Sequence, residues 1–324
     1  MPIGSNTKQA AELLGQGDLV AIPTETVYGL AANAYNPEAV LKIFQAKQRP
    51  AFDPLIVHVH GPEQAMEVAD LRGLGEDMRR QAEALMARFW PGPLTLVLPK
   101  AKHVPDLVTS GLDTVAVRTP AHPMTLALLR SLEFPLAAPS ANPFGYISPT
   151  TAQHVADQLG GKVPYILDGG PCTVGVESTI IGWDAQLRHW VLYRPGGLPV
   201  EEVEAVIGTV GRASRSVLPA SPGMLESHYA PRKPVHIGNI AELMLEHAGK
   251  RIGAITFRNR YAVHALEVLS PQGDLAEAAR HLFAALRRLD AGAAELIVAE
   301  IFPQEGLGAA INDRLKRAAA RRDP

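Results

Sequence analysis

Residues 17–59 constrain the fold of this chain more than any other stretch, because two apolar runs there each end among polar or charged side chains. The first run, residues 19–22, stops at a proline, and the polar sequence T-E-T follows it. The second run, residues 55–59, carries His58. Apolar runs of this length predict buried strands. Polar groups gathered where strands end are typical of a small-molecule site in an α/β sheet.

The segment between the two runs predicts a helix that delivers two cations to the same region. Asn36 before a proline is a typical N-cap, and apolar residues then recur at helical spacing. Lys47 and Arg49 lie at the end of this helix, where Pro50 stops it. The chain has neither a Walker A sequence nor a G-x-G-x-x-G fingerprint, so a bound nucleotide would need such cations for its phosphates. A solvated helix end, where the helix dipole favours cations, explains the same pair without a ligand.

Composition excludes several classes of protein. A length of 324 residues allows two domains, and 47% hydrophobic with 20% charged residues is typical of an ordinary globular protein. The formal net charge of -2 argues against nucleic-acid binding by overall charge, although it leaves room for a local basic groove. Cys172 is the only cysteine, which excludes an intrachain disulfide and a zinc site built from cysteines. No apolar run reaches the roughly 18 residues of a membrane span and no signal-peptide pattern opens the chain, so we expect a cytoplasmic protein without membrane contact.

The order of predicted elements indicates two α/β domains joined by a linker. Strands and helices alternate through residues 1–208, which predicts a twisted parallel or mixed sheet with helices on its faces. Residues 209–234 lose this periodicity and are rich in serine, proline, glycine and arginine, so we interpret them as the linker. Residues 235–324 return to a compact βαβ-like pattern and predict a smaller, Rossmann-like α/β domain.

Several separated motifs resemble one known family. The runs P-T-E-T-V-Y-G-L (23–30), K-Q-R-P (47–50) and S-A-N (140–142) together resemble the YrdC-type domain of threonylcarbamoyl-AMP synthases. The run S-P-G-M-L-E-S-H-Y-A-P (221–231) is similar to the linker of the family's long, two-domain form. The resemblance implies a YrdC-like fold and a nucleotidyltransferase that converts L-threonine, bicarbonate or CO₂, and ATP with Mg²⁺ into threonylcarbamoyl-adenylate and pyrophosphate. The product would serve a downstream threonylcarbamoyl transferase machinery that makes the t6A modification of tRNA.

The resemblance also implies roles for individual residues. Lys47 and Arg49 would act as catalytic cations on the phosphates of ATP. The threonine contacts would be Thr26, His58, Arg118, Ala138 and Ser178. The ATP contacts would be Lys47, Arg49, Asp53, Thr114, Ser140, Asn142, Ser148, Arg194 and Tyr229. The linker would fold back over the cleft as a lid, and no metal ligand is assigned to the protein itself.

Some of these residues have simpler explanations in the sequence alone. A lone histidine in an apolar strand, such as His58, is more often structural, and Ser140 and Asn142 are turn formers. Arg118, at the end of a predicted strand, suits a substrate carboxylate through its planar fork. Asp53 would repel phosphates unless Arg49 or Mg²⁺ neutralised it.

Two other functions compete with synthesis of the adenylate. A YrdC-like domain could serve as a double-stranded RNA-binding module, and pyrophosphate release that needs both threonine and bicarbonate would separate the two. A carbamoyltransferase maturation factor would need zinc-finger cysteines, which the single Cys172 argues against. Asp168 and Glu177 are open to interpretation as Mg²⁺ ligands or as an ordinary turn and a solvated side chain.

Overall fold

The computed structural model describes residues 2–184, 189–212 and 229–320. The strands of that part of the chain are β1 (Ile3–Gly4), β2 (Val20–Ile22), β3 (Gly29–Asn33), β4 (Ile56–His58), β5 (Leu94–Pro99), β6 (Thr114–Arg118), β7 (Leu136–Ala137), β8 (Tyr165–Leu167), β9 (Thr179–Asp184), β10 (His189–Arg194), β11 (Gly211–Arg212), β12 (Val235–Ile237), β13 (Ile252–Thr256), β14 (Ala265–Val268) and β15 (Leu296–Ala299). Its helices are α1 (Thr7–Gly15), α2 (Pro37–Lys47), α3 (Pro62–Val68), α4 (Glu76–Phe89), α5 (Asp106–Thr109), α6 (Pro123–Arg130), α7 (Ala152–Leu159), α8 (Val200–Ile207), α9 (Ile240–Glu246), α10 (Leu275–Ala291) and α11 (Leu307–Ala319). Among these helices, none combines the length and the apolar composition that a bilayer crossing requires.

The first domain is built on one mixed sheet. In the described residues its strand order is β1-β8-β2-β3-β7-β4-β6-β5-β9-β10-β11. The strands β4 and β6 pair in parallel, whereas β7 pairs antiparallel with both β3 and β4. The central strands β2 to β7 are almost wholly buried, and apolar side chains from the flanking helices pack on the sheet in two clusters. The predicted mixed α/β sheet with helices on its faces is therefore confirmed.

Helix α2 brings the predicted cations to the edge of this sheet. Asn36 caps it, because its side-chain oxygen accepts hydrogen bonds from the backbone N–H groups of Glu38 and Ala39. The helix ends at Lys47, and its C-cap Gln48 adopts a left-handed conformation with φ 54°. Just beyond this cap, the Arg49 side chain donates to the carbonyls of Asp53 and Pro54 in the following loop.

The second domain is a smaller parallel α/β unit. Its described strands lie in the order β12-β15-β13-β14, and every neighbouring pair is parallel. The long helix α10 is capped by Asp274, whose carboxylate accepts hydrogen bonds from the N–H groups of Ala276 and Glu277. This arrangement confirms the predicted smaller α/β domain after the linker.

The two domains share apolar packing, which we call the shared apolar cluster. Val27, Ile147 and Val176 of the first domain belong to the same buried group as Leu282 and Phe283 of α10. Burial of apolar area contributes about 25 cal/mol per Å², so continuous packing of this kind favours a fixed position of one domain against the other. Helices α10 and α11 thus lie directly against the loops of the first domain.

The predicted linker is only partly described. Gly211 and Arg212 form β11 and pair with Val191 and Leu192, so they belong to the first sheet. Residues 213–228, which include most of the 221–231 motif, lie outside the described residues. The chain is described again from Tyr229. The domain boundaries at 208 and 235 stay predictions.

Candidate active site

A cavity lies where β3, β4, β6 and β10 meet the loops of the first domain. Its empty volume, including space that opens to solvent, is about 530 Å³. Ile56 and His58 both line it because alternate residues of a strand point to the same face. The described lining residues are Thr24, Thr26, Val27, Gly29, Arg49, Ile56, His58, Arg118, Ala138, Pro139, Ser140, Glu177, Ser178, Arg194 and Tyr229.

Arg118 is held at one wall of the cavity by three buried contacts. Its Nη1 donates to Thr26 Oγ1 at 2.8 Å, its Nη2 donates to Glu25 Oε1 at 2.5 Å, and its Nε donates to the carbonyl of Gly92 at 3.1 Å. The second carboxylate oxygen of Glu25 accepts from the backbone N–H of Ala121. Because Glu25 already pairs with the guanidinium, the fork of Arg118 has less free hydrogen-bonding capacity than the sequence suggested.

His58 is a neutral imidazole in this wall. Burial, followed by the positive charge of Arg118, lowers the pKa of His58 to about 3. Its Nδ1 lies 3.2 Å from the carbonyl oxygen of Ile56. With the proton on Nδ1, the ring donates to that carbonyl and leaves Nε2 as a hydrogen-bond acceptor. A proton donor on a substrate suits such a group, whereas an anion does not.

Lys47 does not line the cavity but organises the loop beside it. Its side chain is buried, and Nζ donates to the backbone carbonyls of Ser140 and Asn142, both at 2.5 Å. Burial, with a further contribution from Arg49, holds the pKa of Lys47 well below its ordinary value. In this conformation Lys47 therefore fixes the S-A-N loop rather than presenting a free cation to a ligand.

Arg49 lines the cavity and forms an ion pair with a buried carboxylate. Its Nη2 lies 2.9 Å from Asp53 Oδ2, and Nε and Nη2 donate to the carbonyls of Asp53 and Pro54. The guanidinium also lies 6.0 Å from the ring centre of Phe144. Burial raises the pKa of Asp53, while Arg49 and Lys47 oppose that shift. Arg49 is thus the neutralising partner that a carboxylate at this position needs.

Ser178 and Arg194 are the predicted site residues in the cavity lining that come from the later part of the first domain. Ser178 Oγ lies 2.7 Å from Thr95 Oγ1. Arg194 Nη2 donates to the Ser178 carbonyl at 3.0 Å and to its Oγ at 3.2 Å. Both Ser178 and Arg194 are buried. Their contacts place a cation beside a hydroxyl, which is an arrangement suited to an anionic oxygen.

Tyr229 connects the cavity to the second domain. Its ring lines the cavity and lies 5.5 Å from the ring of Phe283 and 5.1 Å from the guanidinium carbon of Arg314. The backbone of Tyr229 adopts the left-handed region with φ 61°, which is uncommon for a bulky residue. Arg314 also donates through Nε to Glu177 Oε2 at 2.7 Å.

The structure brings most of the predicted site residues to one cavity. Those that line it are Thr26, Arg49, His58, Arg118, Ala138, Ser140, Ser178, Arg194 and Tyr229. Lys47, Asp53, Asn142 and Ser148 are buried without belonging to the described lining. Thr114 begins β6, four positions before Arg118, and pairs there with Pro99. A strand rises about 3.3 Å per residue, so Thr114 is not brought to the cavity.

Two carboxylates hold residues of the cavity wall in place, a role that the sequence did not indicate. Glu25 pairs with Arg118 across 93 residues of chain, and Glu177 joins Ser148 Oγ at 2.5 Å to Arg314. The P-T-E-T motif contains Glu25, and it was the sequence feature from which the role of Glu25 could have been predicted. No local pattern could have identified Arg314, because its partner Glu177 is 137 residues away.

No protein-built metal centre is evident in the described ranges. Within them, no three His, Cys, Asp or Glu residues cluster as a metal site would require. Asp168 Oδ1 accepts from the Tyr28 hydroxyl at 3.2 Å and from the Gly170 N–H at 2.9 Å. Glu177 is likewise engaged by Ser148 and Arg314. Burial raises the pKa of Cys172, which argues against a nucleophilic thiolate there.

Comparison with known proteins covers both domains. A family model described as Telomere recombination matches residues 12–196, and one described as Threonylcarbamoyl-AMP synthase, C-terminal domain, matches residues 198–320. The threonylcarbamoyl-AMP synthase of Bacillus subtilis is 43% identical, over 97% of this chain and 93% of that protein. The corresponding protein of Pyrococcus abyssi is 46% identical, over 97% of this chain and 94% of its own. The crystal structure of P. abyssi Sua5 complexed with L-threonine has a TM-score of 0.90 at 41% identity and covers 98% of both chains.

Proposed function

This chain belongs to the threonylcarbamoyl-AMP synthase family, and on that premise we propose that it condenses L-threonine, bicarbonate or CO₂, and ATP into threonylcarbamoyl-adenylate. The amine of threonine adds to CO₂ to form a carbamate, and the proton that the nitrogen loses passes to solvent. A carbamate oxygen then attacks the α-phosphorus of ATP, and the bond to pyrophosphate breaks. The reaction is a nucleotidyl transfer that needs no covalent intermediate on the protein.

The observation that carries this proposal is the mixed lining of the cavity. Thr26 and His58 offer hydroxyl and imidazole groups suited to an amino acid, while Arg49 and Arg194 offer cations suited to phosphates. One cavity that contains both sets can hold an amine and a nucleotide close together. Such positioning converts a reaction between separate molecules into an effectively intramolecular one.

The threonine subsite, in this proposal, is formed by Thr26, His58, Arg118, Ala138 and Ser178. The acceptor nitrogen of His58 suits the threonine ammonium or hydroxyl, because the ring is neutral. Glu25 cancels part of the charge of Arg118, so we expect the substrate carboxylate to replace the Thr26 hydroxyl as the partner of Nη1. A pKa of about 3 makes His58 too weak a base to store a proton at neutral pH. We therefore expect threonine to react as its free-amine fraction.

The nucleotide subsite would use Arg49, Ser140, Arg194 and Tyr229 as direct contacts. Lys47, Asn142 and Ser148 would support it from behind by fixing the loops, and Asp53 would orient Arg49. Thr114 stays a prediction from resemblance without support from its position. Mg²⁺ would enter bound to the phosphates of ATP, because the described residues offer no carboxylate cluster for it. When bound, such an ion neutralises phosphate charge.

The linker would act as a lid whose described end is Tyr229. The Tyr229 ring lines the cavity and also contacts Phe283 of α10 and Arg314 of α11. We expect the segment that contains Tyr229 to move when the nucleotide enters. Closure afterwards would exclude water from the adenylate, which hydrolyses readily.

We place the protein in the cytoplasm, where ATP is abundant and a lone cysteine such as Cys172 stays reduced. The mixed anhydride that it releases is reactive and needs a consumer. We propose a threonylcarbamoyl transferase acting on tRNA as that consumer.

Pyrophosphate release measured with threonine, bicarbonate and ATP, and with each omitted in turn, tests the function. We expect release to need all three and to fall when serine replaces threonine. Arg49→Met should lower ATP use about 10- to 100-fold, since a charge-assisted contact contributes about 1.5–3 kcal/mol. Arg88→Met is a matched control, because Arg88 also lies over an aromatic ring, 5.5 Å from the centre of Phe89, but on an exposed helix face.

Release of pyrophosphate without threonine would contradict the proposal. So would tight binding of double-stranded RNA by a chain that releases no pyrophosphate under any of these conditions. In that case the RNA-binding module would be the better reading of the same fold.

A further inference from the structure

Arg314 is a second-domain residue buried inside the wall of the first domain. It lies on α11 and is wholly inaccessible to solvent. Its Nε donates to Glu177 Oε2 at 2.7 Å, and its Nη1 donates to the carbonyl of Pro195 at 2.9 Å and to Asp313 Oδ2 at 2.7 Å. A long charged side chain loses its hydration when buried in this way, so its partners must compensate for that cost.

The partner Glu177 is a carboxylate that lines the cavity. Its other oxygen accepts from Ser148 Oγ at 2.5 Å, and it lies in sequence beside Ser178, which contacts Arg194. Without a cation, a buried carboxylate here would repel the phosphates of a nucleotide in the same cavity. Arg314 supplies that cation from the other domain.

The same guanidinium also lies over the aromatic ring of Tyr229. The distance from its carbon to the ring centre is 5.1 Å, which is within the range of a cation–π contact. Tyr229 is itself 1% exposed and lines the cavity. One side chain of the second domain thus contacts both a carboxylate and an aromatic residue of the cavity wall.

We propose that Arg314 is a positioning residue through which the second domain sets the affinity of the cavity for ATP, chiefly by neutralising Glu177, while its contact with Tyr229 adds to the packing of the cavity wall. This inference rests on the proposed nucleotide subsite. Arg287 of α10 acts in the same direction, because its guanidinium donates to the carbonyls of Ile147 and Ser148 and so holds the loop that carries the Ser148 hydroxyl. The second domain is then part of the binding site rather than an appendage to it.

The test compares Arg314→Met with the double variant Glu177→Gln/Arg314→Met. Binding of ATP and of threonine is measured separately by calorimetry, with thermal melts on each variant. We expect Arg314→Met to weaken ATP binding about 10- to 100-fold and threonine binding less than about twofold. The double variant should recover most of the ATP affinity, because the uncompensated charge is gone.

Arg288→Met is the control for a lost arginine on the second domain. Arg288 forms a two-point ion pair with Glu267 on the surface, away from the cavity lining. We expect ATP affinity in this variant to equal that of the unmodified chain. If Arg314→Met does not fold, the double variant still tests the inference, since it removes the uncompensated Glu177 charge while Asp313 keeps Arg317 as its partner.

Two results would overturn the inference. One is unchanged ATP affinity in a folded Arg314→Met protein. The other is a double variant that binds ATP no better than the single one, which would assign Arg314 a structural role only. Calorimetry needs no turnover, so a failure of the proposed reaction appears instead as absent pyrophosphate release in the unmodified chain.

Discussion

Replacement of Arg118 by alanine should destabilise the first domain as well as weaken threonine binding. Arg118 makes three buried hydrogen bonds, and its ion pair with Glu25 has side-chain exposures of only 4% and 8%. Removing the arginine leaves the Glu25 carboxylate buried without its cation. Breaking a buried pair in this way costs about 3–5 kcal/mol.

That cost can be translated into a melting temperature. For a unit of about 150–250 residues, each kcal/mol shifts the midpoint by about 2–4 °C. We therefore expect Arg118→Ala to melt about 6–20 °C below the unmodified chain. The double variant Glu25→Gln/Arg118→Met should recover most of this loss, because it removes both charges and keeps much of the volume.

Circular dichroism melts and threonine calorimetry on the same samples separate stability from binding. Arg72→Ala is the control, since Arg72 also pairs with a carboxylate, that of Asp70, but its side chain is 91% exposed. We expect that control to change stability by less than about 1 kcal/mol. A melting temperature of Arg118→Ala within 2 °C of the control would refute the argument from buried charge. Normal threonine affinity in the stable double variant would remove Arg118 from the threonine subsite.

Three further predictions concern His58, Lys47 and Tyr229. The pKa of His58 is lowered to about 3 in the folded chain, so the unfolded chain binds an extra proton below about pH 6.5 and the free energy of unfolding falls as the pH falls. In His58→Gln, the dependence of the urea-unfolding free energy on pH between pH 6 and 4 should therefore be less steep by about 1.4 kcal/mol per pH unit. Parallel pH profiles for the variant and the unmodified chain would contradict this. Lys47→Met should cost about 1–3 kcal/mol for each of the two carbonyls that lose their donor, measured by chemical denaturation, and an unchanged midpoint would count against the observed contacts. Tyr229→Ala should weaken ATP binding in calorimetry while Tyr229→Phe keeps it, because the ring contacts survive in phenylalanine; equal loss in both would point to the hydroxyl instead.

The sequence predicted the elements whose signals are local. Thr26, His58 and Arg118 follow or end apolar strands, and the structure does bring them to one cavity. Asn36 and the proline after it predicted the start of α2 through capping chemistry, which the structure shows directly. These inferences needed only neighbouring residues, and they hold because capping and strand burial are local properties.

The contacts of the charged residues were not predictable in the same way. Lys47 lies on the same helix as expected, yet its ammonium contacts carbonyls 93 and 95 residues further along the chain. Which way that side chain points depends on how the S-A-N loop packs, and periodicity does not encode this. For the same reason, the sequence could not predict the pairing of Arg118 with Glu25 or the contact of Arg314 with Glu177 of the first domain.

The shared apolar cluster couples the sequence divergence of one domain to that of the other. Val27 follows Thr26 of the cavity directly in the chain, and it packs in one group with Phe283 of α10. A change of volume on α10 must therefore be accommodated one residue away from a proposed threonine contact. We expect substitutions on the two sides of this contact to arise in compensating pairs during divergence, and a second domain borrowed from a distant relative to fit poorly unless its partners are transferred with it.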